Sequence, residues 1–127
     1  KRRKVKDVKL VDNSKWEAVD SVDIADFKNK KPVNMIFSGY FHAKQDGIYQ
    51  FETRSDGGDY LYIGGHLAVD NSGWHGPRKR HGIVALKKGW HPISIKYRPS
   101  DKPRVIKAWY GLQGEELQPI DATITGY

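Results

Sequence analysis

The chain has no cysteine among its 127 residues, and this absence excludes disulfide bonds, thiolate zinc sites and a cysteine nucleophile. A domain of this length buries enough surface to fold in either redox environment, so the missing cysteine leaves the compartment open. No apolar run approaches the ~18 residues of a membrane-spanning helix, so we expect no membrane span. The sequence opens with Lys1 rather than Met and shows no signal peptide, which predicts a piece of a longer protein whose targeting segment lies elsewhere.

Motifs for catalysis and metal binding are also missing. The sequence has no G-x-S-x-G nucleophile motif, no H-E-x-x-H zinc motif, no P-loop and no dinucleotide fingerprint. Its five histidines occur in five different contexts, and none is paired at the spacing of metal ligands on a helix. We therefore expect no catalytic residues and no metal site, and a noncatalytic module rather than an enzyme.

What the chain does contain is typical of a globular domain. Hydrophobic residues make up 38% of the sequence and aromatic residues 12%, which argues against disorder. The net charge of +7 is unevenly distributed, because residues 1–9 carry +5, residues 10–73 carry −4 and residues 74–127 carry +6. This distribution and the length predict a basic tail or linker over residues 1–9 and a single domain over residues 10–127.

Short β-rich runs separated by turn residues follow one another through the middle of the chain. The clearest alternates Tyr49, Phe51 and Thr53 with polar residues, a period of two that places one face on a core and one in water. Asp46-Gly47 and Gly64-Gly65 lie between such runs and predict tight hairpin turns. Strands with turn signals at this spacing predict an all-β fold, an antiparallel sandwich or barrel.

The aromatic residues divide into two predicted roles. Tyr49, Phe51, Tyr97 and Trp109 alternate with polar residues or occur in apolar strands, so we expect them in the core. Trp74 is flanked by glycines in a polar segment, so we expect it to be at least partly exposed.

Two polar segments, residues 55–59 and 70–76, are predicted loops that concentrate carboxylate and amide groups. Such groups make paired hydrogen bonds to sugar hydroxyls, and an aromatic face covers the apolar side of a sugar ring. Because the Gly64-Gly65 hairpin joins the strands between them, the two segments should meet at one edge of the fold. The predicted carbohydrate-binding residues are Asp56, Asp59, Asp70, Asn71, Trp74 and His75.

Eight short blocks in a fixed order carry a resemblance to a known family. They are Gly39-Tyr40-Phe41, Asp46-Gly47-Ile48-Tyr49-Gln50-Phe51, Ser55-Asp56-Gly57-Gly58, Leu61-Tyr62-Ile63-Gly64-Gly65, Val69-Asp70-Asn71, Trp74-His75-Gly76, Leu86-Lys87-Lys88-Gly89-Trp90-His91-Pro92-Ile93 and Ile95-Lys96-Tyr97. Over residues 37–120 the chain resembles the protective-antigen fourteen domain family, whose modules are attached to glycoside hydrolases, adhesins and some toxins. It is most similar to modules of bacterial glycosidases such as β-hexosaminidases. The resemblance implies an antiparallel β-sandwich and carbohydrate-binding or enzyme-accessory work.

The chain departs from the family at the positions that, by the resemblance, hold calcium in the sugar-binding adhesins. The resemblance implies two successive aspartates in the first segment and an asparagine after a later strand, but Gly57 and Pro99 stand at or near those places. Calcium needs about six to eight oxygen ligands, so we expect no calcium and no other cofactor unless Asp59 or Asp101 rebuilds the site.

Three functions remain open from the sequence. The first is a carbohydrate-binding or accessory module of an extracytoplasmic (periplasmic, secreted or cell-surface) glycoside hydrolase, with a glycan, acidic glycans included, and the parent catalytic domain as partners. The second is a structural domain that shapes the parent enzyme's active-site entrance without sugar affinity. The third, which we disfavour, is a nucleic-acid or polyanion binder whose cations would be Arg78, Lys79, Arg80, Lys87, Lys88, Lys96 and Arg98.

Overall fold

The computed structural model describes residues 7–10, 15–18, 34–100 and 105–120. Within these ranges the chain is entirely strands and turns, and every strand pair is antiparallel, which confirms the predicted all-β class. The strands are β1 (Asp7–Leu10), β2 (Lys15–Ala18), β3 (Met35–Ala43), β4 (Gly47–Ile63), β5 (His66–Leu86), β6 (Gly89–Arg98), β7 (Ile106–Leu112) and β8 (Gln118–Pro119). The described residues contain no helix that is long and apolar enough to cross a membrane.

The strands form two packed layers because β4 takes part in both. Its second half pairs with β6, which continues through β3 and β1 to β2. Its first half pairs with β7, which continues to β8, and β5 follows β4 along most of its length. Layers linked by long strands that pass from one to the other are a recognised way to close a β-sandwich.

The core lies between the layers and is built from the inward positions of alternating strands. Phe41 from β3 makes edge-to-face contacts with Phe51 and Tyr49 of β4 and with Tyr110 of β7, at ring-centroid distances of 5.2–5.7 Å. Tyr49, Phe51 and Tyr97 are buried, as their alternation with polar residues predicts.

Trp109 is the exception among the predicted core aromatics. It lies on the outward side of β7, opposite Glu52, and is only half-buried. The ammonium group of Lys79 lies 5.2 Å from the centre of its ring. The sequence prediction was wrong here because β7 is apolar at most positions, so its pattern does not show which side faces the core.

The structure also corrects the two predicted loops. Residues 55–59 lie inside the 17-residue strand β4, and residues 70–76 lie inside the 21-residue strand β5. The pairing of β4 with β5 shifts register between Ser55 and Gly57 and again between Gly57 and Asp59, so these residues form bulges. Glycine, aspartate and asparagine are typical of both turns and bulges, and the sequence pattern cannot separate the two.

At the other end of the chain, the last residues of the predicted tail 1–9 belong to a strand. β1 begins at Asp7 and pairs with β2 on one side and β3 on the other.

Candidate functional site

Asp56 is fully buried at the bulge of β4, where its carboxylate accepts hydrogen bonds at both oxygens. Oδ1 accepts from the Tyr97 hydroxyl at 2.8 Å and from the backbone N–H of Val105 at 2.5 Å. Oδ2 accepts from the hydroxyl of Ser100 and from its backbone N–H, the latter at 3.1 Å. Burial acts to raise the pKa of Asp56, but the bonds from Ser100, Val105 and Tyr97 outweigh it and hold the pKa below its ordinary value. Asp56 is therefore an ionised group that ties the bulge to the chain that follows β6.

These surroundings do not fit a calcium ion at Asp56. Calcium is held by oxygen ligands, whereas both carboxylate oxygens already face N–H and O–H donors of the chain. Gly57 has a φ of +78°, and a Cβ atom there would lie 2.0 Å from the backbone oxygen of Arg98. A second aspartate at this position would have to displace backbone. In the described part of the chain no three histidine, aspartate or glutamate side chains come together as ligands would. Asp101 lies outside the described residues.

Asp59 lies three residues further along β4 and is equally buried, but it has fewer donors. Its Oδ2 accepts from the Ser55 hydroxyl at 2.5 Å and from the Asn71 amide at 3.2 Å. Oδ1 has no hydrogen-bond partner within the described ranges. Burial raises the pKa of Asp59, and the hydroxyls of Ser55 and Thr53, the amide of Asn71 and the nearby His75 offset only part of that effect. Asp59 is a buried acid with an increased preference for its neutral form.

Asn71 connects this buried acid to the surface segment of β5. Its amide N–H groups donate to Asp59 and to the backbone oxygen of Arg78 at 2.8 Å. Its side-chain oxygen accepts from Arg78 Nε at 3.0 Å, and a second guanidinium nitrogen donates to the backbone oxygen of Ser72 at 2.9 Å. The His75 ring lies between two backbone oxygens, 2.8 Å from that of Asn71 and 2.7 Å from that of Gly76. These contacts fix the path of residues 71–78.

Above this buried network, Asp70, Ser72, Gly73 and Trp74 form an accessible surface. Trp74 is 69% exposed, in agreement with the prediction that it lies at the surface. Asp70 is also exposed, and its Oδ1 accepts a hydrogen bond from the Ser72 backbone N–H at 3.0 Å. Ser72 and Gly73 line a cleft of about 300 Å³, whose other walls include Tyr60 on β4 and Arg98 on β6. This cleft offers aromatic, hydroxyl and cationic groups to a ligand.

The structure brings the six predicted residues to one region, because the Gly64-Gly65 turn pairs Asp59 with Asn71 and places Gly57 opposite His75. It does not place all six at the surface. Asp56, Asp59 and Asn71 are fully buried and bonded to the chain itself, so a sugar has no access to them. The three residues with exposed surface are Asp70, Trp74 and His75.

The sequence does not show the hydrogen-bonding roles of several residues in this region. Tyr97 was predicted only as a core residue, yet its hydroxyl bonds Asp56. Ser100 lies at the other oxygen of the same carboxylate. Arg78 was placed in a basic cluster, but its guanidinium bonds Asn71 and Ser72. A buried polar side chain of this kind needs a donor from elsewhere in the fold, and the sequence does not show which residue supplies it.

The basic residues that we considered for nucleic acid do not form one surface. Arg78 is engaged with Asn71, and Lys79 lies 3.8 Å from a Glu52 carboxylate oxygen on the outer side of β4 and β7. Lys96 and Arg98 are on the outer side of β6, in the other layer. A single basic groove, which phosphate recognition requires, is therefore not formed by these residues.

Comparison with protein families gives a match over nearly the whole chain. The model that describes the PA14 domain matches residues 4–122. A search of curated proteins gives a probable β-glucosidase I from Aspergillus clavatus, 42% identical over 53 residues, which cover 39% of this chain and 6% of that protein. The chain thus corresponds to a small part of this enzyme.

Solved structures share the fold at low sequence identity. An anti-sigma factor domain-containing protein superimposes with a TM-score of 0.83 at 18% identity, covering 98% of this chain and 48% of the other. The PA14 sugar-binding domain of an RTX adhesin superimposes with a TM-score of 0.60 at 22% identity, covering 74% and 55%. The chain spans about half the length of these two structures. At these identities the likeness shows the fold alone.

Proposed function

Because the chain belongs to the PA14 domain family, which occurs in glycosidases and in sugar-binding adhesins, we propose that it is a carbohydrate-binding module of an extracytoplasmic polysaccharide-degrading enzyme. The parent catalytic domain and a glycan are its proposed partners. The proposal that the parent protein is a glycosidase is supported by the match to the β-glucosidase, in which the matching segment is a minor part of the chain. The narrower likeness to β-hexosaminidase modules stays a prediction.

The observation that carries the proposal is the exposed part of β5 beside the 300 Å³ cleft. Trp74 is 69% exposed and belongs to a segment that hydrogen bonds hold in place. An indole on a segment that is held in this way can cover the apolar side of a sugar ring, and the backbone need not be ordered on binding. The Asp70 carboxylate and the Ser72 hydroxyl nearby are groups that hydrogen-bond sugar hydroxyls. No calcium is required for such contacts.

The buried residues beneath this surface have a supporting role in the proposal. Asn71 and Arg78 hold the segment from below, and Asp59 is bonded to Asn71. Their loss should weaken glycan binding indirectly, by releasing the segment. Asp70 and Trp74, in contrast, should affect binding without changing the stability of the fold, because both side chains are exposed.

The test is a titration of the protein with oligosaccharides, neutral and acidic, followed by tryptophan fluorescence. We expect sub-millimolar to millimolar dissociation constants, since a shallow polar site gains little over the water that it displaces. Trp74→Ala should weaken binding about tenfold, which corresponds to roughly 1.4 kcal/mol. Trp109→Phe is the matched control, because Trp109 lies on the outer side of the other layer. If no oligosaccharide binds, the proposal fails and the entrance-shaping alternative replaces it.

A further inference from the structure

A second surface, which begins at the cleft beside Ser72 and Gly73, covers the outer side of β3, β6 and the second half of β4. We call it the tyrosine face and define it by Tyr40, Tyr60, Tyr62, Lys96 and Arg98. Strand alternation places these residues outward, since their neighbours Phe41, Leu61, Ile95 and Tyr97 are buried in the core. The pairing sets Tyr60 beside Lys96 and Tyr62 beside Ser94, so the residues of different strands lie side by side.

The aromatic rings of the tyrosine face are arranged as neighbouring platforms. The rings of Tyr60 and Tyr62 are 6.3 Å apart with an angle of 32° between their planes. Lys96 Nζ lies 5.4 Å from the centre of the Tyr62 ring. Further along the same side, His42 and Trp90 stack at 4.5 Å, and Trp90 is 38% exposed. From Trp90 to Arg98 this side of β6 extends about 26 Å.

Two clefts make this face concave rather than flat. The cleft of about 300 Å³ beside Ser72 is lined by Tyr60, Lys96 and Arg98. A cleft of about 450 Å³ is lined by Tyr40 and Tyr62 and also by Lys96. The two clefts share Lys96, so a single extended ligand could occupy both while passing the ammonium group.

The cations of the tyrosine face lie in its clefts, and an exposed carboxylate, that of Asp70, lies at its edge opposite Tyr60. Lys96 and Arg98 are the charged residues among those that line the two clefts, and no carboxylate lines either of them in the described part of the chain. On the outer side of the other layer the arrangement differs, because Lys79 lies 3.8 Å from a carboxylate oxygen of Glu52. The cations of the tyrosine face thus remain available to an anionic ligand.

We propose that the tyrosine face binds an acidic polysaccharide, a chain of sugar rings that carry carboxylates. The rings would lie on Tyr40, Tyr60 and Tyr62, and the carboxylates would meet Lys96 and Arg98. This inference rests on the proposed function and adds to it the class of glycan and a binding surface that extends beyond residues 70–76. We favour a polysaccharide over a nucleic acid because the chain belongs to the PA14 domain family, which includes a sugar-binding domain of an adhesin.

The test compares fragments of polygalacturonate with the same fragments after methyl esterification, which keeps the rings and removes the charge. Dissociation constants would be measured by calorimetry for the parent chain and for Tyr62→Ala, Lys96→Gln and Lys107→Gln. Lys107 is exposed on the outward side of β7, in the other layer. Its variant therefore removes one positive charge outside the tyrosine face and serves as the control. Unchanged melting temperatures would show that each variant is folded.

We expect the acidic fragments to bind at least tenfold more tightly than the esterified ones, and less tightly as salt is added. Tyr62→Ala and Lys96→Gln should each weaken binding about five- to tenfold, and Lys107→Gln should leave it unchanged. Equal binding of both fragments, unaffected by Tyr62→Ala and Lys96→Gln, would overturn the inference and leave the proposed function intact. Tighter binding of single-stranded DNA than of polygalacturonate would also overturn it. A failure to bind any glycan would overturn the proposed function as well.

Discussion

Asp56 and Asp59 lie three residues apart in one bulged strand, and both are fully buried, yet their environments shift their pKa values in opposite directions. Asp56 has donors from Tyr97, Ser100 and Val105 at both oxygens. Asp59 has donors at one oxygen only. The comparison teaches that the loss of exposed surface alone does not decide the charge of an aspartate. Asp59 is packed more deeply than Asp56, and fewer donors are aimed at its carboxylate, so both effects favour its neutral form.

The largest expected effect is the loss of stability on removing the Asp56 carboxylate. Asp56→Ala would remove the acceptor of the bonds from the Tyr97 hydroxyl and from the N–H groups of Ser100 and Val105, which lie in a buried to part-buried region, so we expect a decrease of about 3–5 kcal/mol in the free energy of unfolding. Urea unfolding measures it. Asp70→Ala is the matched control, and it should cost less than about 1 kcal/mol because Asp70 is exposed. Similar losses for both variants would contradict the comparison.

The second prediction introduces at position 57 the second aspartate that the sequence resemblance implies for a calcium site. Gly57→Asp places a Cβ atom 2.0 Å from the Arg98 backbone oxygen at a positive φ, so we expect a loss of about 2 kcal/mol or more. Millimolar calcium should shift the melting temperature of neither the parent nor this variant, since the Asp56 oxygens are engaged by donors. A calcium-dependent increase of several degrees, reversed by a chelator, would show that the site had been misjudged.

The third prediction sharpens the comparison through pH. The pKa of Asp56 is lowered on folding, so its stabilisation is present above its unfolded pKa and is lost as the pH falls through the folded value. The pKa of Asp59 is raised, so its stabilisation is present below its unfolded pKa and is lost as the pH rises through the folded value. The free energy of unfolding of Asp59→Asn should therefore lie within about 1 kcal/mol of that of the parent at pH 4. Towards pH 7 the variant should become more stable relative to the parent. Chemical unfolding at several pH values measures this difference. A variant that becomes less stable relative to the parent as the pH rises would contradict the prediction.

Much of the fold could be predicted from alternation and turn residues. The strand run through Tyr49 and Phe51 and the Gly64-Gly65 turn are where the pattern places them, because one face of each strand must be buried. The bulges of β4 and β5 could not be predicted, since Gly57 and Gly58 favour a turn as much as a bulge. Only the pairing of the two strands distinguishes the alternatives.

The candidate site was predicted less completely. The sequence correctly grouped residues 55–59 with residues 70–76, because the hairpin fixes their proximity. It could not show that Asp56 and Asp59 face inward, since that depends on donors such as Ser100 that are distant in the sequence. The tyrosine face was missed for a related reason. Tyr40, Tyr60 and Lys96 come from three strands, and the register that sets them together is a property of the sheet.

The most direct measurement of where the module binds is an NMR titration of the isotope-labelled chain with a polygalacturonate fragment. Binding at the proposed surfaces predicts that backbone amide shifts change at Tyr60, Tyr62, Lys96 and Arg98 and at residues 72–74, with little change in β7. Changes confined to β7 and the first half of β4, around Trp109, would place the ligand on the opposite face and contradict the account.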